Sequence, residues 1–217
     1  MTIISIEGAS AVGKTSTSAE LAASHGAFHI PEINTWWKER PNPEYREWWF
    51  ERQADRWRIA QEKQENHSFV VIDIDLFQPF WYNWAYDFTL FDNQSLEFVA
   101  DFYRKLLVDK KIGFPDRYYL LGCSEEELRK RKEADSSRRR GGFEMNLQFI
   151  KPQRHYFEAI NKEVPGLVNF IDSVSINKNV KEILAAIPGT PSKHTYSIDL
   201  FDFIVDWLSR NKADQFR

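Results

Sequence analysis

Gly8-Ala9-Ser10-Ala11-Val12-Gly13-Lys14-Thr15 comes just after the apolar run Ile3-Ile4-Ser5-Ile6 and leads into the helix-forming residues 16–23. Glycine at each end lets the backbone turn with its N–H groups inward. A helix starting there adds the positive end of its dipole, so the segment reads as a cradle for polyphosphate. In that reading Gly8, Ala9, Ser10, Ala11, Val12, Gly13, Lys14, Thr15 and Ser16 surround the nucleotide phosphates. Lys14 supplies a point charge to the β and γ oxygens, and the Thr15 hydroxyl is an inner ligand of Mg²⁺. The bland alternative is a glycine-rich turn without a ligand; a strand before and a helix after are the context that favours the phosphate loop.

Working outward, residues 14–25 carry Ala19, Leu21, Ala22 and Ala23 and stop at Gly26, a suitable C-terminal glycine for a first helix. A second strand over 27–30 ends at Pro31-Glu32, which places a carboxylate where open α/β sheets bind ligands. Phe69-Val70-Val71-Ile72-Asp73 is a continuous apolar run ending in an acid, the pattern of a central parallel strand buried on both faces. Asp73 then stands as a Walker-B-like ligand that holds Mg²⁺ through water, and Asp75 reads as a solvated turn residue. Residues 117–122 form a fourth strand and 167–172 a fifth. Ser124 with Glu125-Glu126-Glu127 caps a helix, and helices are expected over 44–66, 93–110, 145–162 and 180–187.

Composition narrows the function. The 217 residues and 42% hydrophobic content suit one α/β unit, and 29 basic against 32 acidic residues give a net charge of -3, which argues against a nucleic-acid surface as partner. A single cysteine, Cys123, excludes an intrachain disulfide framework and fits a reducing cytoplasm; its apolar neighbours make it a packing residue. No basic leader and no membrane-length apolar run is expected to target the chain elsewhere. The histidines at 25, 29, 67, 155 and 194 have no metal-ligand spacing, so metal chemistry is expected from nucleotide-borne Mg²⁺.

Two stretches are unusual. Trp36 and Trp37 precede a helix carrying Tyr45, Trp48, Trp49 and Trp57, with Arg52, Gln53 and Arg56 among them, and Phe80 and Trp81 follow the third strand. Aromatic stripes more often fill cores, but ligand sites combine apolar walls with a few placed polar groups. The expected pocket wall is Trp36, Trp37, Trp49, Trp57, Phe80 and Trp81, with Gln53 and Arg56 fixing orientation. The second stretch runs from Arg129 and Arg131 to Arg138-Arg139-Arg140-Gly141-Gly142. Short, interrupted by Asp135-Ser136-Ser137 and closed by glycines, it reads as a basic lid over phosphates rather than a solvated charge run. Arg131 is the fixed arginine at its base, and Arg138 and Arg140 are candidates to contact the transferring phosphate. Beyond the linker Gly189-Thr190-Pro191-Ser192, residues 198–208 have helical apolar spacing and dock either on their own domain or on a partner subunit, as in a homodimer.

Strand, phosphate loop, helix, four further strands and arginine lid together resemble the nucleoside and nucleotide kinase group of P-loop proteins over residues 1–187. Pro31-Glu32, residues 50–61, Pro115-Asp116-Arg117-Tyr118-Tyr119-Leu120 and Arg131 with Arg138, Arg139 and Arg140 look like that group's pattern. Residues 143–160 are similar to the helix after the lid there and in chloramphenicol-modifying phosphotransferases. The resemblance implies a three-layer α/β fold with a five-stranded parallel sheet in the order 2-3-1-4-5 and a lid at about 132–143; the tail over 188–217, beyond the resemblance, reads as a C-terminal linker and helix. The resemblance also implies Glu32 as the base that deprotonates the acceptor hydroxyl and Gln53 as the reader of the acceptor. Deoxynucleoside and thymidylate kinases carry an acid-arginine pair after the third strand; here stands Asp73-Ile74, and Arg52 or Arg56 could replace the arginine in space.

The expected function is transfer of the γ-phosphoryl group of ATP, with Mg²⁺, to a hydroxyl or phosphate of a nucleoside-, nucleotide- or antibiotic-like small molecule. Glu32, Lys14, Arg131, Arg138 and Arg140 are its candidate catalytic residues, with Glu32 instead pairing with Arg40 or Arg56 as the alternative. A GTPase is disfavoured because Asn177-Lys178-Asn179-Val180 lacks the closing aspartate. A non-catalytic nucleotide-binding regulator acting through a partner is the competing class.

Overall fold

A computed structural model describes residues 2–91, 94–136 and 141–216. In chain order the elements are β1 (Thr2–Gly8), α1 (Lys14–Ser24), β2 (Ala27–Ile30), α2 (Ile33–Trp36), α3 (Trp48–Lys63), β3 (Phe69–Asp73), α4 (Gln78–Ala85) and α5 (Leu96–Val108). There follow β4 (Arg117–Gly122), α6 (Glu125–Ala134), α7 (Phe143–Leu147), α8 (Ile150–Glu163), β5 (Val168–Asp172), α9 (Ile176–Ala186), α10 (Ile198–Arg210) and a closing 3-10 turn, Ala213–Phe216.

The strands form one sheet in the order β2-β3-β1-β4-β5, every neighbouring pair parallel, as the sequence pattern implied. Every residue of β1 and of β3 is buried, which is why both read as apolar runs rather than as alternating strands. Alternation does decide which core each residue enters. Ile3, Val70, Ile72, Tyr118 and Leu120 face the layer built by α3, α4, α5, α8 and α10. Ile4, Ile6, Val71, Tyr119 and Leu121 face α1, α6, α7 and α9. The resulting three layers put the C-terminal ends of β1, β2 and β3 at one edge, and the candidate site lies there.

Several helix limits differ from the sequence expectation, each for a local reason. Residues 44–47 stay outside α3, where Trp48 N–H closes a tight turn on Tyr45 O instead. The stretch 145–162 divides into α7 and α8, and Pro152, which lacks an N–H, sits in the first turn of α8 where none is needed. Ser95 and Ser175 accept from Phe98 N and Lys178 N and so set the starts of α5 and α9. The Ser124 cap of α6 forms as expected, on Glu127 N.

Of the two docking surfaces open to the C-terminal helix, the structure shows its own chain. Leu200, Phe201, Ile204 and Leu208 are buried in the same core as Phe80 and Tyr103, with the Phe201 ring edge-on to Phe80 at 5.6 Å. The linker before it is anchored as well: Asp116 accepts from Ile3 N at 2.7 Å and from Ser192 N, and Phe114 N donates to Thr195 O.

Candidate active site

The phosphate loop turns between β1 and α1. Gly8 has φ +136° and Gly13 φ +105°, and a Cβ on Gly8 would stand 2.3 Å from Leu121 O, so only glycine fits at the first position. Ala11 also adopts a positive φ, 69°. Thr17 N bonds to Gly13 O, so the backbone N–H groups ahead of it at the start of α1 face the loop's concavity without an intrahelical partner. Lys14 Nζ donates to the loop carbonyls of Gly8 at 2.7 Å and Ala9 at 3.0 Å.

Thr15 Oγ1 donates to Asp73 Oδ2 at 2.6 Å, which joins the start of α1 to the end of β3. Burial works to raise the Asp73 pKa, but His29, Lys14 and Thr15 outweigh it and hold the carboxyl below its usual range. Its Oδ1 is buried without a partner. A hydroxyl and an ionised carboxylate in contact are the donors a hard cation takes, so the pair fits Mg²⁺ with the other oxygens coming from phosphate and water. Among the described residues no group of three or more His, Cys, Asp or Glu is placed to hold a metal.

Two cavities flank the loop, and Lys14 lines both. The larger, about 840 Å³, opens between the loop, α4 and the 37–47 segment. Glu7, Glu32, Trp49, Trp81, Asn83 and Gln153 are among its walls. The smaller, about 350 Å³, lies on the other side of α1, with Val12, Gly13, Thr15, Arg131, Ser173 and Asn179 in its lining. Arg131 is fixed there by Val12 O at 3.1 Å, Ser173 O at 2.7 Å and Glu127 at 2.8 Å. Arg138 and Arg140, with Arg139, lie outside the described residues.

The aromatic wall differs from the sequence expectation. Trp49 and Trp81 line the larger cavity, whereas Trp57 and Phe80 are sealed in the core, where large rings fill the space between helices and sheet. Trp36 and Trp37 pair with each other beside α2, outside that lining, and Trp36 is exposed. Gln53 and Arg56 are each only 1% exposed and also stay out of the cavity wall. Arg56 Nη1 donates to Gln53 Oε1 at 2.7 Å, so the two polar groups expected to orient a ligand bind one another.

Of Arg52 and Arg56, it is Arg56 that reaches the end of β3. Its Nη2 donates to Asp73 O at 2.5 Å and Ile74 O at 3.0 Å, from α3 rather than from the chain after β3. Ile74 has φ 72°, a costly conformation for a β-branched side chain, and the Arg56 contact together with Ile74 N to Ile6 O holds it. Arg52 instead pairs with Asp55 at 2.8 Å.

Glu7 and Asp75 form a buried acidic pair. Glu7 Oε1 accepts from Asp75 N at 2.8 Å, and Oε2 accepts from Gln153 Nε2 at 2.9 Å. Burial pushes the Glu7 carboxyl up to about 7 against the opposing Lys14 charge. Burial, with the Glu7 charge adding to it, pushes Asp75 up to about 8. The solvated turn expected at Asp75 is therefore corrected: the αL turn at Ile74 sends the chain back under the sheet edge, where Asp75 is 1% exposed. Glu7 was missed altogether, although an acid inside a strand buried on both faces is a sequence signal in itself.

A parallel sheet in this order, with a phosphate loop joining its central strand to the first helix, defines a P-loop α/β protein. No protein-family model and no curated protein sequence matches the chain. Among solved structures it is similar to deoxyadenosine kinase from M. mycoides, determined with bound dATP, at 17% identity over 85% of this chain and 98% of that one, with a TM-score of 0.55. It is also similar to thymidylate kinase from Candida albicans, at 16% identity over 85% and 89% of the two chains, with a TM-score of 0.50. At these identities the likeness is one of fold, and at that level it agrees with the resemblance drawn from the sequence.

Proposed function

We propose that the chain is an ATP-dependent kinase that phosphorylates a small hydroxyl-bearing molecule. The observation that carries this is the pair of cavities meeting at Lys14, one on each side of the phosphate loop. A donor in the smaller and an acceptor in the larger would present their reacting atoms to one another at the lysine.

Magnesium nucleotide, when bound, supplies the transferable phosphoryl group. The loop N–H groups and Lys14 would hold its phosphates, and Thr15 and Asp73 its metal ion. Arg131 would wall the donor side. Glu32 lines the acceptor cavity and would accept the proton from the attacking hydroxyl, the role its place after β2 suggests. Arg138 and Arg140 would close over the transferring phosphate.

The test is acceptor-dependent ADP formation with a panel of nucleosides, nucleoside monophosphates and hydroxylated antibiotics. Glu32→Gln should keep nucleotide affinity and lose turnover by ~100-fold or more. Nucleotide binding with no acceptor-dependent ADP from any member would favour the non-catalytic regulator.

A further inference from the structure

Two of the helices that wall the larger cavity are held from behind by the C-terminal segment. α4 carries Trp81 and Asn83 into the cavity lining, while Phe80 and Trp84, four residues apart and so on one face of the helix, meet rings of that segment. α8 divides in the same way. Gln153 lines the cavity and binds Glu7, whereas His155 and Tyr156 meet the C-terminal rings.

Two rings bridge the helices. Trp207, in the last turn of α10, lies 5.2 Å from Trp84 and 6.1 Å from Tyr156. Phe216, in the closing 3-10 turn, lies 6.0 Å from Trp84 and 4.6 Å from His155, and it stacks on Trp207 with 19° between the planes. Trp84 is only 3% exposed, and its Nε1 donates to Asn211 O at 2.8 Å, between α10 and that turn. The single polar atom of a buried indole is thus satisfied by backbone of the same segment.

This bracing is confined to one layer. Trp207 and Phe216 pack on the core that holds α4, α5 and α8, whereas Val12, Leu21, Val180 and Ile183, from the phosphate loop, α1 and α9, belong to the core on the other side of the sheet. Core filling alone would account for the fully buried Phe201. Phe216 is half-buried, and what sets it apart is its place across the seam from Trp84 on α4 to His155 on α8. Packed interiors pass a displacement on instead of absorbing it, so the spacing of those two helices answers to this ring.

We propose, resting on the kinase reading, that Phe216, with Trp207 beneath it, is a positioning residue for the acceptor. The two rings touch no ligand. They set how far apart α4 and α8 stand, and with that the place of Trp81, Asn83 and Gln153 in the acceptor wall.

The test is Phe216→Ala in the full chain, with Phe216→Leu beside it to restore apolar bulk, read by amide hydrogen exchange without ligand and by steady-state kinetics. The kinetic probe is ATP with whichever nucleoside, nucleoside monophosphate or hydroxylated antibiotic wild type phosphorylates fastest. In Phe216→Ala, exchange is expected to quicken by ~10-fold or more over residues 78–88 and 150–157 and to stay unchanged over 14–24. KM for the acceptor should rise by ~5- to 10-fold with KM for ATP within about twofold of wild type, and Phe216→Leu should recover most of both effects. Unchanged exchange in α4 and α8 overturns the proposal, and so does faster exchange with an unaltered acceptor KM. An equal rise of both KM values, or loss of cooperative unfolding in Phe216→Ala, would make the ring ordinary core and overturn it too. All of these outcomes leave the kinase reading standing. Absence of acceptor-dependent ADP from wild type across the whole panel removes that reading, and the positioning role with it.

Discussion

Gln153 Nε2 donates to Glu7 Oε2 at 2.9 Å, tying α8 to the end of β1 just before the phosphate loop. The bond lies inside a buried site that also holds Asp75 N, Gly8 N and the charges of Lys14 and Asp73. Glu7 therefore has a pH signature. Below its ordinary value of 4.5 the carboxyl is protonated in the folded and the unfolded chain alike, and the folded value is about 7. Between those two the folded chain keeps a proton that the unfolded chain has lost, so stability falls as pH rises through that window. Asp75, raised to about 8, acts in the same direction. Denaturant unfolding of wild type from pH 5 to 8 should show a loss on the order of a few kcal/mol, and Glu7→Gln should flatten it. Parallel pH profiles for the two proteins would show that Glu7 is not the group responsible.

Arg56 should be required for stability before it is required for any chemistry. Replacing it with methionine keeps the volume but strips three acceptors, Gln53 Oε1, Asp73 O and Ile74 O, of their donor and leaves the surrounding carboxylates without a counter-charge. Breaking such a buried set costs about 3–5 kcal/mol. Urea unfolding of Arg56→Met measures it, and a loss below about 1 kcal/mol would mean the guanidinium is not holding the Ile74 turn.

The sheet was legible because its strands are apolar runs with sharp ends. Phe69 to Asp73 is buried at every position, and such a run reads the same in sequence as in space. The loop was legible because its glycines answer to backbone geometry and not to distant neighbours. The cavity wall was not. Trp49 and Trp57 lie eight residues apart on α3, yet one lines the cavity and the other is 1% exposed in the core, and only the neighbouring helices decide which. Arg56 shows the same limit: its partners are backbone carbonyls seventeen and eighteen residues on, a pairing no spacing rule reveals. The 78–85 stretch was noticed for its rings, but its helix, α4, carries Trp81 and Asn83 into the cavity by virtue of following the Ile74 turn.

The C-terminal helix makes a separate claim on the fold. Phe201 is fully buried against Phe80 and shares their core with Tyr103, so Phe201→Ala should cost about 3–5 kcal/mol in thermal or denaturant unfolding. A chain ending at residue 187 should expose that face and aggregate or lose cooperative unfolding. Cooperative unfolding of the shortened chain at wild-type stability would make α10 a dispensable extension.

Lys14 is where the proposed nucleotide site is tested. Its ammonium donates to two loop carbonyls and opposes the charges of Glu7 and Asp73, so Lys14→Ala should raise both carboxyl pKa values while the chain still folds. Loss of a charged hydrogen-bond donor to phosphate should weaken ATP binding by ~10- to 100-fold. Fluorescence titration of the tryptophans checks it, and unchanged affinity would remove the loop from the binding site.

Asn83 is where recognition of the acceptor ring should be most sensitive. Its side chain is 3% exposed, and its Nδ2 donates to Gln94 Oε1 at 3.1 Å while Gln94 Nε2 donates to Arg46 O at 3.1 Å, so the amides are fixed in orientation before any ligand arrives. Both line the larger cavity, together with Trp81 two residues earlier on α4. A prearranged amide discriminates by what it leaves unpaired: a ring whose donors and acceptors match satisfies it, and a mismatched ring strands buried polar groups. Asn83→Leu keeps the size and removes the polarity. For the acceptor that wild type prefers, kcat/KM should fall by ~10-fold or more while the differences among nucleosides shrink. ATP affinity should stay unchanged, because on the proposed reading the donor would lie in the smaller cavity, across Lys14. A uniform fall for every acceptor would instead mark Asn83 as packing, and an unaltered preference would place ring recognition elsewhere in the wall.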